Sequence, residues 1–144
     1  MHAKILAGLL IVSAGGALAA FSVAQLPRSR SPKDVELYFI SPRGDEAVTS
    51  PVTVRFGLRG MGVAPAGVAM ENTGHHHLLV DADVPAFDRP IPADANHVHF
   101  GKGQTEAQVT LAQGRHRLQL LLADHLHVPH DPPVLSKSIT ITVD

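Results

Sequence analysis

The chain contains no cysteine and no tryptophan among its 144 residues, and its aromatic content is limited to five Phe and one Tyr. The absence of thiols excludes thiolate nucleophiles, CxxC redox chemistry, cysteine-ligated zinc, iron–sulfur clusters and lipoprotein acylation. The few aromatic residues and a formal net charge of −1 provide neither the stacking platforms nor the basic surface that nucleic-acid binding needs. Any bound metal ion must therefore be held by His, carboxylate or Met side chains.

The common catalytic motifs are also missing. The sequence contains no Gly-x-Ser-x-Gly elbow, no His-Glu-x-x-His and no P-loop. The run Gly101-Lys-Gly-Gln-Thr105 is similar to a phosphate loop only superficially, because no helix is predicted after it to supply a dipole. We therefore expect that the protein is not an enzyme. A metal-dependent enzyme would need three His ligands, an open position and a general base, for which Asp124 and Glu71 are the candidates.

Residues 1–24 have the pattern of a secretory signal, with a short basic start, an apolar run and small residues before Ala24. Cleavage after Ala24 is favoured over cleavage after Ala19. The alternative is an uncleaved membrane anchor, since residues 5–26 carry no charge. Either way we expect an exported, periplasmic domain that meets the membrane only through this segment.

The remaining sequence predicts a polar linker over residues 25–33 and one folded domain over residues 34–144. In the domain, apolar residues alternate with polar ones, as in half-buried strands, and turns rich in Pro and Gly separate the runs. The predicted strands span residues 35–41, 51–59, 76–82, 97–100, 105–112, 115–123 and 134–143. This number and spacing predict an all-β, immunoglobulin-like antiparallel sandwich of about seven strands, with a small antiparallel barrel as the alternative.

Histidine is the one anomaly of the composition, since nine of the ten lie between His75 and His130. Eight of these nine form three clusters, and each cluster contains a His-x-His. On a strand, residues i and i+2 point to the same face about 6.6 Å apart, so that two imidazoles can converge on one ion. In a seven-strand sandwich the three clusters fall on connections at the same end. The pattern therefore predicts one metal site at that end.

Strand alternation separates the faces of the first cluster. His76 shares a face with Leu78 and Val80, and burial of these two would turn His75 and His77 to the outer face. The predicted metal ligands are His75, His77, His97, His99, His125, His127 and His130. The residues expected to support the ligands are His76, Asp81, Asp124 and Asp131. His116 stands apart from the clusters and is assigned a structural role.

Imidazole-rich, thiolate-free sites suit copper(II), zinc or nickel, and copper ion is our first choice ahead of zinc ion. The alternatives are a hydrogen-bonded histidine network without an ion and a pH-sensitive surface.

Three strings together resemble the bacterial domain of unknown function family 4399: Gly74-His-His-His-Leu-Leu-Val-Asp81, His99-Phe-Gly-Lys-Gly-Gln-Thr-Glu106 and Asp124-His-Leu-His-Val-Pro-His-Asp-Pro-Pro-Val134. The resemblance covers roughly residues 50–143 and implies a small exported or envelope β domain. It implies no reaction.

Two functions compete at this point. The first is a periplasmic metal-binding protein that buffers or delivers an ion. The second is a non-catalytic interaction module, or an accessory subunit of a membrane or envelope protein assembly, with a structural histidine network.

Overall fold

The structure of the chain is a computed structural model that describes residues 25–144. The predicted signal or anchor in residues 1–24 lies outside the described residues. The described part contains nine strands and no α-helix, and therefore no helix of a length and apolarity that would cross a membrane. The strands are β1 (Glu36–Ser41), β2 (Ala47–Val48), β3 (Val52–Arg59), β4 (Gly62–Val63), β5 (Thr73–Val80), β6 (His97–Phe100), β7 (Glu106–Val109), β8 (Gly114–Ala123) and β9 (Ile139–Val143).

The strands form two sheets, which confirms the predicted all-β sandwich. One sheet has the order β1-β3-β7, and the other has the order β2-β9-β8-β5-β4, with β6 also paired to β5. All pairs between the longer strands are antiparallel, whereas the two-residue strands β2 and β4 pair in parallel. The sequence did not predict these two strands, because alternation cannot be recognised over two residues.

The core lies between the sheets and follows the period-2 pattern of the sequence. In β3 the buried side chains are Val52, Val54 and Phe56, and in β8 they include Leu118 and Leu120. Neighbouring positions on each strand point away from this core, as the pleat requires. Burial of these side chains supplies the main driving force for the fold.

Strand β5 departs from this pattern because both of its faces are covered. Every residue from Gly74 to Val80 is buried. The outer face of the sheet lies under a long connection in which Ile91 packs on Leu121 and Ala123. The strand starts and ends earlier than the predicted range 76–82. It ends at Val80 because Asp81 leaves the extended conformation, with a φ of 53°.

The predicted linker is partly attached to the domain. The backbone N–H of Ser31 donates to the carbonyl of Asp131 at 3.1 Å, and the N–H of Asp131 donates to the carbonyl of Ser29 at 2.9 Å. We call residues 25–31 the strap, because they lie along the loop of residues 124–132.

His116 has the structural role that its isolation in the sequence predicts. Its Nδ1 lies 2.7 Å from a carboxylate oxygen of Asp81, and its Nε2 lies 2.8 Å from the carbonyl of Ala112. These two acceptors raise the pKa of His116, because only the imidazolium can donate from both nitrogens. Partial burial alone would raise the pKa of Asp81, but hydrogen bonds from His116 and Arg117 lower it below its ordinary value.

The pair therefore stabilises the fold most between the ordinary pKa values of its members, 3.8 for Asp81 and 6.5 for His116. The stabilisation from His116 is complete below pH 6.5 and is lost as the pH rises through the raised pKa of His116 in the folded state. The stabilisation from Asp81 is lost as the pH falls through the lowered pKa of Asp81 in the folded state. A double-mutant cycle of Asp81→Asn and His116→Gln, measured by urea unfolding, should give a coupling of about 0.5–1 kcal/mol near about pH 5.5. A coupling that does not shrink near about pH 9 would contradict this assignment.

Candidate metal centre

Four histidines from three separate segments gather on the outer face of the larger sheet. His75 and His77 lie on β5, His99 lies on β6, and His127 lies in the loop after β8. Five of the six distances between their ring centroids fall between 4.8 and 5.0 Å, and the sixth, between His77 and His127, is 6.1 Å. We call these four residues the histidine cluster. Each of the three sequence clusters contributes to it.

The nitrogen atoms are close enough to hold a metal ion. The Nε2 atoms of His75 and His77 are 3.0 Å apart. Two nitrogens bound to one ion at about 2.0–2.1 Å stand roughly 3 Å from each other. One ligand atom from each of His75, His77 and His99 lies within 4.8 Å of the others, so these three residues could hold an ion after a small approach of His99.

The ring centroids of all four residues have roughly the spacing expected around one ion, but among the described residues only His75, His77 and His99 have ligand atoms within 4.8 Å of one another. Four imidazoles that each bind a tetrahedral ion through one nitrogen would have centroids roughly 5 Å apart, given a metal–nitrogen distance of about 2 Å. A square-planar arrangement would need two long distances of roughly 6 Å, on opposite pairs. The distance of 6.1 Å between His77 and His127 is longer than a regular tetrahedron would give, and His127 would have to move to become a fourth ligand.

Strand pairing fixes two of these side chains against each other. His77 is directly opposite His99 in the β5–β6 register, so that both rings leave the sheet on the same face. His75 lies two residues before His77 and therefore shares this face. The local strand geometry thus places three imidazoles without any help from loops.

His127 reaches the cluster from a tight loop. Its backbone has a φ of 65°, in the left-handed region that side chains rarely adopt. One carboxylate oxygen of Asp124 accepts hydrogen bonds from the N–H groups of Leu126 at 2.9 Å and Val128 at 3.1 Å. The carbonyl of Asp124 also accepts from the N–H of His127 at 2.9 Å. The loop is therefore closed around Asp124.

A glycine two residues after His99 makes room for its ring. A Cβ at Gly101 would lie 2.3 Å from Cε1 and 2.5 Å from Nε2 of His99, distances that real Cβ atoms do not show. From the sequence, Gly101 stands out only as the start of the Gly-Lys-Gly run that follows the predicted strand 97–100. Its position after the His-x-His is the one sequence signal that bears on this role.

Burial differs across the cluster and lowers its pKa values. Burial, with smaller contributions from His127 and His99, lowers the pKa of His75 to about 4. Burial, followed by the charges of His75 and His99, lowers the pKa of His77 to about 2. The pKa of His99, which is exposed, is lowered by its partial desolvation and by His127. These three imidazoles are therefore neutral at pH 7, which is the form that binds metals.

Within the described part of the chain, two of the four ring nitrogens of His75 and His77 lack a hydrogen-bond partner, and the other two pair with each other. The Nδ1 atoms of His75 and His77 have no hydrogen-bond partner among the described residues, and their Nε2 atoms contact only each other. Buried polar atoms are normally paired, and an unpaired one calls for an explanation. The donor set, which is all imidazole, fits a borderline transition-metal ion.

Three of the predicted ligands are not brought into the cluster. His97 is opposite Leu79, and its Nδ1 lies 2.7 Å from a carboxylate oxygen of Asp94. His130 is buried, and its Nε2 donates to the carbonyl of Thr73 at 3.0 Å. His125 lines an open surface cavity of about 370 Å³ next to Thr73 and His130.

The predicted supporting residues have other surroundings, and both ring nitrogens of buried His76 lack a hydrogen-bond partner among the described residues. The ring of His76 lies on the opposite face of β5, between the sheets, with its centroid 4.8 Å from that of Phe56. Asp81 binds His116, and Asp131 forms an ion pair with Arg28 at 3.4 Å. Asp124 supports the cluster only indirectly, through the loop that carries His127.

Comparison with known proteins identifies a family. The family model described as Domain of unknown function (DUF4399) matches residues 54–144, which is more than half of the chain, and the chain therefore belongs to this family. No curated protein and no solved structure matches the chain.

The contact between Gly101 and His99 gives a test that leaves every histidine in place. Gly101→Ala should displace the ring of His99 and weaken the binding of added Zn²⁺ or Cu²⁺ roughly tenfold or more, as changes beside a ligand do. Isothermal titration of the two metals measures this effect. Gly44→Ala is the matched control, because a Cβ there meets nothing closer than 3.9 Å. Equal affinities of the two variants would contradict the assigned role of Gly101.

Proposed function

We propose that this member of the DUF4399 family is an exported protein that binds one divalent transition-metal ion in the histidine cluster and buffers or delivers it. Copper(II) is the favoured ion and zinc the second. The observation that carries the proposal is the convergence of four imidazoles, two of them buried, from three chain segments. The predicted export signal supports a periplasmic location.

A metal-free histidine network is less consistent with the contacts around the cluster. Such a network would pair each ring nitrogen with a carbonyl or a carboxylate. The carboxylates of Asp81, Asp124 and Asp131 instead bind His116, the loop amides and Arg28. The rings of His75 and His77 pair only with each other, through Nε2, and their Nδ1 atoms have no partner among the described residues, an arrangement that a shared cation would stabilise.

The ligand chemistry favours copper(II) over zinc. For a given nitrogen site the affinity of divalent first-row ions peaks at copper. Copper(I) would prefer sulfur ligands, but Met61 packs against the core and Met70 is an exposed residue with 63% of its surface accessible. Zinc remains the second candidate, because the ring centroids lie closer to a tetrahedron than to a plane.

The exposure pattern favours exchange of the ion rather than permanent storage. His75 and His77 are buried, whereas His99 is exposed and His127 is half-buried. An incoming ligand can therefore replace the more accessible imidazoles first, while the buried pair still holds the ion. This order is what transfer to or from a partner requires.

Two matched pairs of variants test the proposal. His99→Ala and His97→Ala change the same strand, and His127→Ala and His125→Ala change the same loop. Tag-free wild-type protein should bind one equivalent of Cu²⁺ or Zn²⁺. His99→Ala and His127→Ala should each weaken this binding at least about tenfold, because each removes one ligand. His97→Ala and His125→Ala should bind as the wild type does. Elemental analysis and competitive titration with a chelator measure both stoichiometry and affinity.

The same experiment identifies the failure of the proposal. Substoichiometric binding, or equal losses in both members of each pair, would indicate adventitious binding to surface histidines. The interaction module would then be the better function, and binding of an envelope partner should be unchanged in the presence of a chelator.

A further inference from the structure

The strap makes specific contacts with the loop that carries His127. The guanidinium of Arg28 donates to the carbonyls of Pro129, at 3.1 Å, and His130, and it pairs with Asp131. The hydroxyl of Ser29 donates to Oδ2 of Asp124 at 2.8 Å. These contacts join residues about a hundred positions apart in the sequence. They occur in a segment whose composition predicts a free linker.

Asp124 links the strap to the cluster. Its side chain is buried, with 2% of the residue exposed, and its two oxygens have different partners. Oδ2 accepts from the hydroxyl of Ser29 at 2.8 Å and from its backbone N–H at 3.4 Å, and Oδ1 accepts from the amides of Leu126 and Val128, on either side of His127. The Ser29 hydroxyl is therefore the closer of two strap donors that restrain the carboxylate that closes the loop.

The conformation of His127 depends on this closure. A non-glycine residue in the left-handed region is strained, and the surrounding contacts must hold it there. The centroid distances from His127 to His99 and His75, 4.8 and 5.0 Å, are those of the closed loop. If the loop opened, His75, His77 and His99 would remain together, because strand pairing alone places them.

We propose that Ser29 is a positioning residue for the metal centre: the docked strap, acting through Asp124, holds His127 in place as the fourth ligand, and an undocked strap leaves a site of three histidines. This inference rests on the proposed function. If the site binds the ion more tightly with the loop closed than with the loop open, thermodynamic linkage requires that the bound ion favours docking of the strap by the same factor. The strap follows directly on the predicted export segment, so its docking couples that end of the chain to retention of the ion.

A cycle of substitutions tests this role by metal affinity. Ser29→Ala should raise the Kd for Cu²⁺ or Zn²⁺ roughly tenfold, the scale found when a residue that orients a ligand is lost. Ser29→Thr keeps the hydroxyl and should restore the affinity. Ser31→Ala is the matched control, because its hydroxyl donates to the carbonyl of Pro132 and not to Asp124. In a His127→Ala background, Ser29→Ala should have no further effect.

A second measurement needs no metal. Hydrogen exchange of the Leu126 and Val128 amides should be faster in Ser29→Ala than in the wild type or in Ser31→Ala, because the Asp124 carboxylate is less restrained. Unchanged exchange in Ser29→Ala would overturn the inference, as would an effect of Ser29→Ala on affinity that persists without His127. If the wild type binds one ion and Ser29→Ala binds it equally well, the strap has no such role and the proposed function stands. If the wild type binds no ion, both proposals fail.

Discussion

Burial of His75 and His77 on a strand covered on both faces is the constraint on which the rest of the site depends. An imidazole removed from water resists protonation, and the two rings, with their Nε2 atoms 3.0 Å apart, cannot both carry a charge. The strand thus keeps two neutral nitrogen donors together in a dry environment. Such a pair is unfavourable for a protein that merely needs a stable core, because apolar side chains would fill the same space without unpaired polar atoms.

The other elements add donors to this pair with decreasing rigidity. His99 is placed by strand register and by the space at Gly101, whereas His127 depends on a loop closed by Asp124 and contacted by the strap. An ion held by these four residues would join β5, β6 and the loop after β8. Binding of the ion would therefore also stabilise the fold, by an amount that grows with the free ion concentration relative to Kd.

The sequence predicted the sandwich well, because alternation in segments such as β3 and β8 is a direct record of one buried face. It also separated His76 from His75 and His77 by parity alone. The sequence could not predict features that depend on which segments meet in the tertiary structure. Alternation could not reveal that a loop covers the outer face of β5. Seven candidate ligands could not be reduced to four, because the partners of His97 and His130 are an aspartate and a carbonyl fixed by the fold. The strap was predicted to be a linker, because a polar composition does not indicate contacts with residues far along the chain.

The central claim, that four particular imidazoles bind one ion, is tested most directly by NMR of the ring nitrogens. In tag-free, nitrogen-labelled protein, one equivalent of diamagnetic Zn²⁺ should shift one nitrogen resonance in each of His75, His77, His99 and His127 and fix their tautomers. The rings of His97, His116, His125 and His130 should keep their metal-free resonances. Shifts confined to the exposed or half-buried rings outside the cluster, or resonances of His75 and His77 that do not change, would contradict the assignment of this site.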